Sequence, residues 1–107
     1  MQGIWLLAAV MLIAGFGTAG AMEYGDPVRG QLYAKKTCSG CHAVLADDLL
    51  SPVSEATDFV TVANTPGMTR TALTVWLQTP HPTMPNLVIE PQDKDDVIAY
   101  ILSLKGE

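Results

Sequence analysis

The apolar residues of this chain fall into separate stretches, and those beyond residue 21 recur with the spacing of an α-helix. Such spacing places the apolar side chains on one face of a helix, where they can pack against a core. No stretch alternates apolar and polar residues well enough to predict a β-strand. The clearest helical stripes are Ala72, Leu73, Trp76 and Leu77 in one segment, and Val97, Ile98, Ile101 and Leu104 in another.

Capping residues predict where the helices begin and end. Asp26-Pro27 combines a preferred N-cap with proline at the first helical position, and the helix that follows runs to the cysteines at 38 and 41. Pro80 requires the third helix to end by about Gln78. We therefore predict an all-α domain of three to four helices joined by structured loops. The predicted helices begin near Asp26, Asp58, Thr69 and Pro91, and the loops include residues 43–55 and a segment rich in proline, 80–91.

The first 21 residues predict a secretory signal. An apolar run over residues 4–16 is followed by small residues, with Ala19 and Ala21 in the pattern that a signal peptidase reads. We expect cleavage after Ala21, a mature domain over residues 22–107, and a periplasmic location. An uncleaved anchor over residues 4–22 is the alternative, because no Lys or Arg precedes the apolar run and its length approaches that of a membrane span.

Size and charge narrow the class of the mature domain. A domain of this length has a thin core and usually needs a disulfide, a metal or a cofactor. Its two cysteines are too close in sequence to brace the chain as a disulfide, so a large apolar cofactor is the better candidate. The formal charge of −5 argues against nucleic-acid binding and predicts a protein partner with a basic docking patch.

The segment Cys38-Ser39-Gly40-Cys41-His42 has the C-x-x-C-H pattern of c-type haem attachment. On a helical turn the two sulfurs lie on one side and can form thioether bonds to one edge of a haem. His42 follows directly and can bring a ring nitrogen to the iron. The motif predicts one covalently attached haem c.

Other interpretations of the motif are weaker. A thioredoxin-like redox pair needs a βαβ pattern around the cysteines, and the sequence predicts none. A zinc site needs a second pair of ligands, and the only other histidine is His81. A chance occurrence is the third alternative, but an export signal suits haem attachment, which takes place after export.

A six-coordinate electron carrier needs a second axial ligand, commonly methionine. Met84 is our choice, because it lies well beyond His42 in a loop that several prolines stiffen. Met68 has the ordinary interpretation of a packing residue, and Met22 lies at the processed terminus. His81 remains a minority alternative.

These residues together resemble a small bacterial class I cytochrome c. Gly30 matches the glycine at which the first and last helices of that family cross, and Tyr100 matches the aromatic residue at the same crossing. Pro52 resembles the proline after the haem histidine whose carbonyl holds the histidine N–H. The run from Trp76 to Pro85 resembles the path to the methionine ligand. The resemblance implies a fold of helices and loops wrapped around one haem.

The function implied is electron transfer rather than catalysis. With His42 and Met84 both bound to iron, no position is open for a substrate. We expect a monomeric one-electron carrier between periplasmic or membrane redox proteins. The alternatives are a dedicated electron-donor subunit of a dehydrogenase or oxidase, and a haem enzyme or gas sensor with an open distal site. Predicted propionate donors are Trp76, Thr79 and Thr83, and the predicted haem lining is Leu32, Val44, Phe59, Leu73, Trp76, Leu87 and Ile98.

Overall fold

The computed structural model describes residues 24–107 together with Gly3 and Gly15. This part of the chain contains four α-helices and no β-strand, so the all-α prediction is confirmed. Apart from Gly3 and Gly15, the predicted signal (1–21) and the alternative anchor (4–22) lie outside the described residues. No helix in the described part is long and apolar enough to cross a bilayer. The helices are α1 (Pro27–Tyr33), α2 (Phe59–Asn64), α3 (Arg70–Gln78) and α4 (Pro91–Ser103), and a π-helical segment, Ala34–Cys38, extends α1.

The predicted capping residues begin the helices as expected. The Asp26 side chain accepts a hydrogen bond from the Val28 N–H at 2.8 Å, and the Thr69 hydroxyl accepts one from the Ala72 N–H at 3.1 Å. Asp58 caps α2 in the same way. The third helix ends at Gln78, as Pro80 requires, and the fourth starts at Pro91. Local sequence chemistry therefore accounts for the helix boundaries.

The segment before the cysteines differs from the uniform α-helix that the sequence predicts. From Ala34 to Cys38 the chain forms a π-helical turn, and the Ser39 N–H donates to the Ala34 carbonyl at 3.0 Å. A π turn closes its hydrogen bonds over five residues and not four, so it is wider than an α-helical turn. Here the turn keeps Ala34 buried while Lys35 and Lys36 are exposed.

The crossing of α1 and α4 organises the fold. A Cβ on Gly30 would lie 1.9 Å from the Asp96 carbonyl oxygen and 2.8 Å from the Tyr100 Cβ. Only glycine permits two helix backbones to approach so closely. The expected meeting of Gly30 and Tyr100 at this crossing is confirmed.

The hydrophobic core forms on the apolar face of α4. Helices α1, α2 and α3 all pack against α4, and the largest fully buried side chains are Leu73, Val97 and Ile98. The stripe predicted for the last helix is therefore the centre of the core. The other buried apolar residues are Ala34, Ala43, Val44, Phe59, Val60, Ala63, Tyr100, Ile101 and Leu104.

One buried carboxylate ties the start of α1 to α4. Asp96 is only 2% exposed, and it accepts hydrogen bonds from the Asp26 N–H at 2.8 Å and from Arg29 Nε and Gln92 Nε2 at 3.0 Å each. Burial acts to raise the pKa of Asp96, but these hydrogen bonds and the Arg29 charge outweigh it, so the pKa is lowered. The ionised carboxylate therefore stabilises the helix pair.

Substitution of Gly30 by alanine tests the helix crossing. The added methyl group would overlap the Asp96 carbonyl, so we expect the free energy of unfolding to fall by about 2 kcal/mol or more. The matched control is Gly40→Ala, because a Cβ on Gly40 has no neighbour within 4 Å and should change stability by less than about 0.5 kcal/mol. Chemical denaturation measures both, and equal stability of the two variants would contradict the close crossing.

Substitution of Asp96 by asparagine tests the buried carboxylate. We expect the free energy of unfolding to fall by roughly 1–3 kcal/mol at pH 7, because the donors that faced a charged carboxylate then face a neutral amide. The folded-state pKa lies below the unfolded value of about 3.9, so the carboxylate's contribution is complete above that value and is lost as the pH falls through the folded pKa.

Denaturation of wild type and Asp96→Asn across this pH range measures the effect. The difference between the two proteins should narrow as the pH falls below about 4. A difference that stays constant across the range would contradict the role of the charge. Asp47 is exposed, so Asp47→Asn serves as a control. It should lower the free energy of unfolding by less than about 0.5 kcal/mol at pH 7.

Candidate functional site

The cysteine motif lies in one tight helical turn at the end of the π-helical segment. The backbone N–H groups of Cys41 and His42 both donate to the Cys38 carbonyl, at 3.2 Å and 2.9 Å. Both cysteines are free thiols, with Cys38 half-buried and Cys41 exposed. Burial, and then the neighbouring Cys41, raises the pKa of Cys38 to about 11, so this thiol is neutral at physiological pH.

The imidazole of His42 is held in one orientation. Its Nδ1 lies 2.6 Å from the Thr57 carbonyl oxygen, and because a carbonyl only accepts, Nδ1 carries the proton. The ring also packs beside Phe59, with 5.4 Å between the ring centroids. Nε2 then carries the lone pair, and no hydrogen-bond partner for it is found among the described residues. This is the tautomer of a metal-binding histidine whose other nitrogen is oriented by a carbonyl.

The acceptor for His42 corrects one prediction. The resemblance implied a carbonyl at Pro52, but the carbonyl at Nδ1 belongs to Thr57. The reason is the path of the loop, because the Val53 N–H donates to the Cys41 carbonyl and the Phe59 N–H donates to the Ala43 carbonyl. These bonds bring the end of the loop back beside the motif.

A shallow pocket lies beside His42. Its volume is about 200 Å³, and its lining includes Val44, Leu45 and Pro52 together with Lys35. Cofactor pockets commonly occupy about 300–1,000 Å³, so this pocket alone would not enclose a haem. Pro52 thus lies near His42 without bonding to it, and a contact between Pro52 and a haem stays a prediction.

The donor set nevertheless fits a covalently attached haem. Two thiols and one imidazole with an available Nε2 occupy a single turn, which is the chemistry that the C-x-x-C-H pattern requires. Of the predicted lining residues, Leu32 and Trp76 are 62% and 58% exposed. Of the other predicted lining residues, Leu87 is half-buried, whereas Val44, Phe59, Leu73 and Ile98 are buried in the core.

The two candidate distal ligands in the proline-rich loop lie in contact. The Met84 Sδ is 2.8 Å from the His81 Nε2, and the same two residues form an isolated antiparallel bridge. The ring of His81 in turn stacks on Trp76, with 4.7 Å between centroids. The sequence named all three residues but carried no signal that they meet.

The remaining methionine candidates differ from Met84 in their surroundings. Met68 packs against the core, and its carbonyl accepts a hydrogen bond from Lys105 Nζ at 2.6 Å. This agrees with the interpretation of Met68 as a packing residue. Met22 lies outside the described residues.

The predicted propionate donors have partners of their own. The Thr79 hydroxyl donates to the Val75 carbonyl at 2.7 Å, and the Thr83 hydroxyl donates to the Pro82 carbonyl at 2.6 Å. Trp76 contacts His81 through its ring face. A role of these three residues toward haem propionates stays a prediction.

A zinc site gains no support from the described residues. They contain no group of three or more His, Cys, Asp or Glu side chains placed to hold one metal ion.

Comparisons with known proteins identify no family for this chain: no family model, curated protein or solved structure matches it significantly. The function of this protein must therefore be inferred from the cysteine motif and from the geometry around His42 and Met84.

Proposed function

We propose that this protein is an exported mono-haem c-type cytochrome with a class I cytochrome c fold, which carries single electrons between redox proteins. The observation that carries the proposal is the geometry of the motif. Cys38, Cys41 and His42 share one turn, and the Thr57 carbonyl holds His42 in the tautomer that offers Nε2 to a metal.

On this proposal Cys38 and Cys41 would hold the haem by thioether bonds, and His42 and Met84 would bind its iron. The bound haem supplies one-electron chemistry between ferric and ferrous iron. The hydrogen bond from His42 Nδ1–H to Thr57 keeps the ring oriented and increases the basicity of Nε2. Phe59 limits rotation of the same ring by packing beside it.

Met84 is the reason that we propose an electron carrier and not an enzyme. Met84 is half-buried in a loop whose backbone Pro80, Pro82 and Pro85 restrict. As a ligand to the iron, its thioether would leave no position open for a substrate and would favour the reduced state.

Charge and sequence support the proposed location and partners. The formal charge of −5 suits a redox partner with a basic docking patch, and steering by such charges speeds encounter. Residues 1–21 suit export to the periplasm, where we propose that the protein acts as a monomer.

Covalent haem attachment is the first test. Wild type, Cys38→Ala with Cys41→Ala, and Ser39→Ala are produced by export in cells that attach c-type haem. We expect haem to stay with wild type and Ser39→Ala after denaturing extraction, because residue 39 is a spacer in the motif, and to be lost from the double variant. Mass spectrometry and the pyridine haemochrome spectrum measure this. Wild type without covalent haem would overturn the proposal.

The identity of the distal ligand is the second test. Met84→Ala should lose the weak far-red absorption band of a methionine bound to ferric iron, and its ferrous form should bind carbon monoxide readily. Met68→Ala is the matched control and should keep the band, because Met68 packs against the core. Rapid carbon monoxide binding by ferrous wild type would instead indicate an open distal site, as in a haem enzyme or gas sensor.

A further inference from the structure

Two adjacent leucines lie on the surface of the loop that follows the cysteine motif. Leu49 is 61% exposed and Leu50 is 86% exposed. A single exposed leucine is ordinary on a protein surface, but two neighbouring ones form a small apolar patch, which we call the leucine patch. Burial of this patch against another molecule would remove its apolar surface from water, and this favours association.

Hydrogen bonds hold this loop in one shape. The Asp48 carboxylate accepts from the Leu50 N–H at 3.1 Å, and the Asp48 N–H donates to the Leu45 carbonyl at 3.2 Å. The Ser51 hydroxyl accepts from the Ala43 N–H at 3.0 Å. A surface that is ordered before it binds loses less conformational entropy when a partner docks on it.

The loop is also tied to the turn that bears the cysteines. The Val53 N–H donates to the Cys41 carbonyl at 3.1 Å. Asp48 and Pro52 line the same shallow pocket as Ser39, which belongs to the motif. The leucine patch comes between Asp48 and Pro52 in the chain, so it belongs to the surface beside the cysteine motif.

Charges beside the leucine patch narrow the kind of molecule that can cover it. Asp47 and Asp48 are exposed and come directly before the two leucines. An anionic lipid surface would repel these carboxylates. A second copy of this chain, docked patch to patch, would bring the acidic pairs of both copies together. A protein with an apolar hollow bordered by Lys or Arg side chains suits both the leucines and the carboxylates.

We propose that the leucine patch is the docking site for a redox protein whose own surface has an apolar hollow bordered by basic side chains. Leu49 and Leu50 provide the apolar contact, and Asp47 and Asp48 steer the approach of the partner and fix its orientation. This inference rests on the proposed function, because it names the surface through which the electron carrier meets its partner.

The experiment follows oxidation of the ferrous holoprotein and reduction of the ferric holoprotein by two fractions of the cells in which the protein occurs, the detergent-solubilised membranes and the periplasmic extract. The test variant is Leu49→Ser with Leu50→Ser, and we expect its second-order rate constant to be about five- to tenfold below that of wild type. Val28→Ser is the matched control, because Val28 is 67% exposed at the end of α1 away from the cysteines. Its rate constant should stay within about twofold of wild type.

The acidic pair is tested separately. Asp47→Asn with Asp48→Asn removes both charges, and asparagine at 48 keeps an oxygen acceptor for the Leu50 N–H. We expect a rate constant about threefold below that of wild type at low ionic strength, and a difference that disappears as salt screens the exposed charges. Glu107→Gln, which removes an exposed carboxylate at the C-terminus, is the matched control. All four variants should keep the wild-type midpoint potential and far-red band.

The outcomes distinguish this inference from the proposed function. If the double leucine variant reacts as fast as wild type, or if Val28→Ser slows equally, the docking site is overturned and the carrier proposal stands. If wild type sediments with phosphatidylcholine–phosphatidylglycerol vesicles, or sediments as a dimer, and the double leucine variant does neither, lipid or a second copy covers the patch and the inference fails. If wild type carries no covalent haem, or if neither fraction changes its redox state, the proposed function fails first, and the inference fails with it.

Discussion

The close contact between Gly30 of α1 and the Asp96 backbone of α4 is the constraint on which the other parts of the structure depend. It fixes where α1 crosses α4. Because the π-helical segment extends α1, the crossing also determines where Cys38 lies. The Asp96 side chain reinforces the same crossing by accepting from Asp26 and Arg29. A domain of this size has a small hydrophobic core, so the close packing of α1 on α4 is a large share of what stabilises it.

The crossing also supports the segment that follows the cysteine motif. One turn of α4 beyond Asp96, the Tyr100 hydroxyl donates to the Val44 carbonyl at 2.5 Å. Val44 lies two residues after His42, and Ala43 between them accepts from the Phe59 N–H. The same pair of helices therefore positions both the turn that bears the cysteines and the loop that orients the histidine. This coupling explains how a domain with short helices holds one imidazole in a defined tautomer.

The proline-rich loop follows a different principle from the core. Its residues are mostly exposed, and few apolar contacts hold it, so its shape comes from restricted backbone angles and from local contacts. Trp76 belongs to α3 and provides the surface on which His81 rests. Trp76, which the sequence predicts as a propionate donor, therefore contacts His81, and His81 in turn contacts the proposed ligand Met84.

The sequence by itself determined the helices and the chemistry of the motif. Asp26, Asp58 and Thr69 cap helices through their own side chains, and Pro80 and Pro91 bound the loop, so these features follow from interactions within a few residues. The apolar stripe of the last helix likewise identified the core, and Gly30 with Tyr100 marked the crossing.

Only the tertiary structure decided the partners of the functional side chains. The acceptor for His42 is a backbone carbonyl, which every residue carries, so no residue type could distinguish Thr57 from Pro52. The contact of His81 with Met84 depends on a left-handed Thr83, a conformation for which threonine gives no signal. Local sequence specifies what a residue can do, whereas the course of the loops specifies which groups it meets.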